Sequence, residues 1–179
     1  MIIVRNTVKD TMYPVQIDYD LSLKDMVEAG NCNRVDPDIL NFSVIGKGKR
    51  EIHLQLLMII DSCGHTGVIQ FPVPRQGNAS SDEGIVVINA EKGVIYSEEV
   101  FACMDSVGLR PAKVEEMLAF GARYPTVQLQ HLVICLGSTW NDLVPYLTCN
   151  CEYRCVDLSS MLKTGWGNAQ FLVVKKTQS

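Results

Sequence analysis

Histidine is scarce in this chain. There are three in 179 residues: His53, His65 and His131. That thins the candidates for general acid–base catalysis, because histidine is the side chain whose charge changes near neutral pH. Aromatic residues are also few, at 7% with two Trp. Long apolar runs are missing. The longest, near Leu54 to Ile60, covers about 7 residues, against the ~20 needed to cross a bilayer. The start, Met1-Ile2-Ile3-Val4-Arg5-Asn6, is too short in apolar residues for a signal peptide. A soluble chain without an export signal or a membrane partner is expected. No extended basic block occurs, and 16 Lys plus Arg against 20 Asp plus Glu leave a net charge of -4. That balance argues against nucleic acid as a partner. No Ser-His-Asp arrangement, dinucleotide-binding glycine loop or paired-carboxylate motif can be read.

What remains is an ordinary globular composition, 47% hydrophobic and 20% charged, in a length that suits one domain. The unusual count is cysteine. There are seven, an odd number that cannot all pair internally, and Cys149, Cys151 and Cys155 fall close together. Without export, thiols stay reduced. Cys32, Cys63, Cys103 and Cys135 read as small buried side chains.

Periodicity gives the coarse elements. Tyr13 to Tyr19 alternates Val15, Ile17 and Tyr19 with Gln16 and Asp18, which predicts a strand. Ser22 followed by Asp25 predicts the capped start of a short helix over Leu23–Ala29, with Gly30 as its stop. Residues 31–37 read as a polar turn and Phe42–Ile45 as a short strand. Gly46-Lys47-Gly48-Lys49-Arg50 reads as a solvated hairpin turn, since no Ser or Thr follows the lysine as a phosphate loop requires. Ile52 to Ile60 reads as a strand with His53 turned outward. Asp61, Cys63 and His65 fit no zinc spacing. Residues 75–83 read as a loop and Ile85–Ile88 as a buried strand.

Ser97 to Gly108 predicts a helix, with Ser97 as N-cap, Glu98 and Glu99 in its first turn and Gly108 as its stop. Pro111 suits the first turn of a second helix. Val114, Met117, Leu118 and Gly121 form its buried stripe, and Tyr124-Pro125 ends it. Leu129–Leu136 reads as a strand carrying His131. The order Gly108-Leu109-Arg110-Pro111-Ala112, then Glu115-Glu116, then Ala119-Phe120-Gly121-Ala122-Arg123, resembles formylglycine-generating-type proteins of the C-type-lectin fold. Gly137-Ser138-Thr139-Trp140 and the final Trp166 and Phe171-Leu172-Val173-Val174-Lys175-Lys176 continue the likeness. One residue between Arg and Pro is missing, and Ala112 stands where Thr is usual. The resemblance implies an α+β, C-type-lectin-like fold with two helices, a small antiparallel sheet and long irregular loops. Its first and last strands would pair. Residues 85–179 would form that core, with 1–84 an N-terminal part or extension of a single domain.

The stretch from Gly137 to Asn168 is dense in Asn, Ser, Thr, Cys, Tyr, Asp and Gly. Randomising the adenines of Asn codons yields this set, which resembles the variable region of variable proteins of diversity-generating retroelements. The resemblance implies a non-enzymatic binding protein with a hypervariable surface. Its ligand-binding residues would be Asn141, Asp142, Thr148, Cys149, Asn150, Cys151, Tyr153, Cys155, Ser159, Ser160, Thr164 and Asn168. The partner would be a protein ligand, and no metal or other cofactor is implied. Tyr with small polar residues suits such a surface, because Tyr gives contact area at low entropic cost. Trp140 and Trp166 would anchor loops by packing.

Two rival readings stand beside it. One is a small thiol- or metal-dependent enzyme using Cys149, Cys151 and Cys155. Cys-x-Cys is tighter than common zinc spacings, with His131 or Cys135 as a fourth ligand. The other is a structural or assembly subunit.

Overall fold

The computed structural model describes residues 2–3, 12–58, 68–73, 84–89, 97–150, 153–160 and 169–176. Strands β1 (Ile2–Ile3), β5 (Val68–Val73) and β6 (Gly84–Asn89) form one three-stranded sheet. The loop expected at 75–83 and the Asp61, Cys63 and His65 group lie outside the described residues.

The alternation at Tyr13–Asp18 forms β2, with Val15 and Ile17 buried. Helix α1 (Leu23–Gly30) opens at Ser22, whose hydroxyl accepts from the Asp25 N–H at 3.2 Å. The Asp25 carboxylate accepts in turn from the Ser22 N–H at 3.3 Å. The helix closes on Asn31, at φ 46, rather than on Gly30. Asn is among the few non-glycine residues that tolerate this left-handed conformation. The expected polar turn holds β3 (Arg34–Val35) and leads into a 3-10 turn, Pro37–Asn41. Phe42–Ile45 is not a strand.

β4 (Lys49–Met58) starts earlier than its apolar alternation suggests, because Lys49, Arg50 and Glu51 pair with β2 at its exposed end. Residues 19–48 separate these two antiparallel strands, so Gly46–Arg50 is not the turn of a hairpin. His53 is exposed, as expected.

Helix α2 (Ser97–Ser106) is followed by Gly108 at φ 69. The next helix begins later than Pro111. Leu109–Pro111 is strand β7, and α3 runs from Val114 to Arg123. Pro111 tolerates the strand because β7 is short and pairs along one side, with β11. Where a strand was expected over 129–136, a short helix α4 (Val127–Gln130) precedes β8 (Val133–Ile134). β9 (Leu143–Asn150), β10 (Tyr153–Ser160) and β11 (Gln170–Lys175) complete the chain.

The fold is α+β, and its sheet is not small. Eight strands join in the order β2-β4-β11-β8-β9-β10-β3, with β7 also on β11. The sheet is mixed, since β11 and β8 run parallel and so do β10 and β3. Four α-helices accompany it among the described residues, not two. Much of 137–168, expected as irregular loop, is the β9–β10 hairpin, paired residue for residue from Leu143↔Ser160 to Asn150↔Tyr153. Among the described residues β11 pairs with β4, β7 and β8, not with the first strand. Strands from both sides of residue 84 therefore share one sheet.

Helices cover both faces. Leu54, Leu56, Val133, Leu147, Val156, Leu172 and Val174 pack on one face with Met26 of α1 and Met117 and Phe120 of α3. Leu57, Ile134, Val144, Phe171 and Val173 pack on the other with Val100 and Met104 of α2. Along β11 the alternation divides strictly between the two clusters, as a period-two strand buried on both faces must. Tyr13, Phe120 and Tyr124 form an aromatic trio with centroids 5.0–5.5 Å apart, and so tie β2 to α3.

Candidate ligand-facing hairpin

Asn141 and Asp142 form the two-residue turn that leads into β9. Trp140 N–H donates to Leu143 O at 3.0 Å, and Leu143 N–H donates back at 2.9 Å. Both turn residues have positive φ, 48 and 59. This is the primed turn that matches strand twist, and Asn and Asp are the side chains that accept it. Both are exposed. The hairpin pairs Ser160 with Leu143 and Ser159 with Val144, so both serines lie at this end. Thr148, Cys149, Asn150 and Tyr153 lie at the other end, about 3.4 Å further per residue and so on the order of 20 Å away. Tyr153 is 63% exposed. The structure thus divides the expected surface into two groups at opposite ends of one hairpin. Cys151, Thr164, Asn168 and Trp166 lie outside the described residues.

Cys149 and Cys155 do not converge. Cys149 pairs with Arg154 and Cys155 with Thr148, so Cys149 and Cys155 point to opposite faces of the hairpin. Cys155 is buried at 5% and forms part of the interior rather than the surface. His131, weighed as a fourth ligand, is hydrogen-bonded to Gln170 at 2.9 Å. Cys135 donates to Ala112 O at 2.8 Å, and complete burial raises its thiol pKa, so it stays protonated. Among the described residues no group of three His, Cys, Asp or Glu side chains is placed to hold a metal ion.

Several residues of the same stretch hold the fold together. A Cβ on Gly137 would stand 2.3 Å from Ala112 O, so only glycine fits there. Ser138 Oγ accepts from the Val114 N–H at 2.9 Å and caps α3 from a distance in sequence. Trp140 packs on the core, as expected of an anchor. Arg154 donates to Gly30 O at 2.9 Å, to Gly121 O at 2.6 Å and to Gln128 Oε1 at 3.0 Å. It joins α1, α3 and α4 to β10, and it occupies carbonyls near helix ends that would otherwise lack donors.

A second polar cluster lies under the loop at Ile45–Gly46. The Glu116 carboxylate takes two bonds from Arg110, at 2.7 and 2.9 Å, one from the Lys113 N–H at 2.8 Å and one from the Tyr19 hydroxyl at 3.1 Å. Burial, then the Glu116 charge, pushes the Tyr19 hydroxyl up to about 12. Glu115 beside it is fully buried, and neither carboxylate oxygen makes a hydrogen bond of normal geometry. Burial chiefly, with the Glu116 charge added, raises its pKa, while its own N–H and that of Ile45 oppose the shift. The Glu-Glu pair looks like a solvated first turn in sequence. Its one available signal was the position of Glu116, three residues after Lys113, where a side chain reaches back to the helix start. Arg154 gave no signal, because its partners, two backbone carbonyls and the Gln128 side chain, are brought up from distant elements.

Fold and site define an α+β protein with a two-faced mixed sheet and a largely buried hairpin whose exposed residues lie at its ends. Compared with family profiles, curated proteins and solved structures, the chain matches none. Among the described residues no helix is long and apolar enough to cross a membrane.

Proposed function

We propose that this chain is a non-enzymatic ligand-binding protein that presents a variable surface on a C-type-lectin-like scaffold, as diversity-generating retroelement variable proteins do, with a protein as ligand. The observation that carries the reading is the separation of duties along the hairpin. Thr148, Cys149, Asn150 and Tyr153 lie at its far end, with Asn150 and Tyr153 exposed. Neighbouring Arg154 and Val156 are committed to the interior. A frame held by buried contacts can accept changes at the exposed positions without losing its fold. Tyr153 supplies a broad contact surface, and Thr148 and Asn150 supply adaptable hydrogen bonding.

The test is the gene in related isolates. Differences should concentrate at codons 148–150 and 153, with Gly137, Ser138 and Arg154 constant and a near-repeat beside a reverse transcriptase gene. Differences spread evenly along the chain would overturn the proposal.

A further inference from the structure

Residues 43–47 cross from the 3-10 turn to β4 over the buried carboxylates of α3. Both ends of the crossing are fixed. Phe42 is buried, and its N–H donates to Ile39 O at 3.3 Å. Gly48 O accepts from the Tyr19 N–H at 3.0 Å, and the Gly48 N–H donates to Asp20 Oδ1 at 3.0 Å. Between these ends, among the described residues, no backbone group of 43–47 joins a backbone–backbone hydrogen bond. Val44 packs on the core, and Ile45 is 69% exposed. Gly46 lies against Tyr19, where a Cβ would run into the ring. The segment is a strap held by side-chain contacts and not by a ladder.

Glu115 is what the strap closes on. Its carboxylate is fully buried, makes no hydrogen bond of normal geometry, and has the Ile45 N–H near it. The surrounding groups do not neutralise it. Arg110 donates twice to Glu116, and Glu116 adds a like charge beside Glu115. Lys113 opposes that like charge, but more weakly. The Tyr19 hydroxyl and the Cys135 thiol also feel Glu115, and burial keeps both neutral. Lys47, on the strap itself, is exposed. An ionised carboxylate so placed is costly until water reaches it. The strap is the part of its cover that can move without breaking a ladder.

We propose that Ser43–Lys47 is a pH-operated strap, closed over the neutral Glu115 carboxyl and lifted when that group ionises, so that Tyr19 and the Glu116–Arg110 pair meet water. This reading is independent of the hairpin's role. With the strap closed, burial raises the Glu115 pKa; with it lifted, the hydrated group returns to its ordinary value, about 4.3. Opening therefore grows up to about tenfold per pH unit between the two values, and then levels. The test is NMR of the isotope-labelled full chain from about pH 4 to 8, a range that starts below the ordinary glutamate value. It reads the Glu115 carboxyl carbon and the broadening of ring protons by a soluble neutral gadolinium chelate. Broadening of Tyr19 should rise at least about threefold as Glu115 titrates, while Phe120, in the core, stays shielded. Glu115→Gln should hold Tyr19 at its acid level throughout. Glu115→Met, which leaves no polar group to bury, should do the same, so that poor folding of the amide variant is not mistaken for an open strap. A Tyr19 ring equally shielded at both ends of the range, a rise that persists in both variants, or broadening of Phe120 in step with Tyr19 would each overturn the proposal.

Discussion

Replacing Arg110 with Met tests how the buried cluster is held. The Glu116 side chain is 1% exposed and that of Arg110 is 34% exposed. Arg110→Met removes two of the four hydrogen bonds to Glu116 and leaves its carboxylate buried with the Lys113 N–H and the Tyr19 hydroxyl. Breaking one side of a fully buried pair costs about 3–5 kcal/mol. Because water reaches part of Arg110, the low end of that range applies, about 3 kcal/mol. In a chain of this size that lowers the melting temperature by roughly 6–12 °C. Urea denaturation should show a lower midpoint with an unchanged slope, and little dependence on salt. Arg110→Met combined with Glu116→Leu should recover at least half of the loss, since no unpaired charge remains. A melting shift under 2 °C for the single variant refutes the reasoning. So does a double variant as unstable as the sum of its parts.

Glu115→Met should stabilise the protein by about 1–3 kcal/mol at neutral pH, because it removes a buried carboxylate that makes no hydrogen bond of normal geometry. The native pKa of Glu115 is raised, so its contribution to stability is fully present below the ordinary glutamate value, about 4.3, and is lost as pH rises through the native value. The variant's advantage should therefore shrink on acidification, and a difference that stays flat with pH in denaturation curves would count against this. Gly137→Ala should destabilise by several kcal/mol, of order 3, from the clash with Ala112 O; melting within a degree of wild type would contradict it. Asn141→Val should cost about 1–2 kcal/mol and Asn141→Gly almost nothing, because Asn141 has positive φ. Equal stabilities in urea would show that the turn does not select its residues.

Local rules made much of this fold legible. Val15 and Ile17 alternated as β2 requires, and Ser22 and Asp25 announced α1. What was not legible depends on partners distant in sequence. Leu109–Pro111 becomes a strand because β11 is beside it, overriding the helix-starting preference of Pro111. The polar stretch after Gly137 looks like loop by composition. It folds as a hairpin because Leu147 and Val156 face one core while Val144 faces the other. The candidate ligand-facing residues come from composition alone, and their division between two ends of the hairpin follows from register, which composition does not encode.

The strand order also bears on the timing of folding. β11 joins β4 on one side to β7 and β8 on the other, yet it is translated after every other described strand. Until it emerges, β4 with β2 and β8 with β9 and β10 are separate pieces, each with a bare backbone edge. Arg34 and Asp157, or Pro14 and Tyr124, must also find each other across more than a hundred residues. Such non-local topology folds slowly. On the ribosome these strands remain two unfinished half-sheets until β11 is made, so their exposure to misassociation is set by the time taken to reach Lys175.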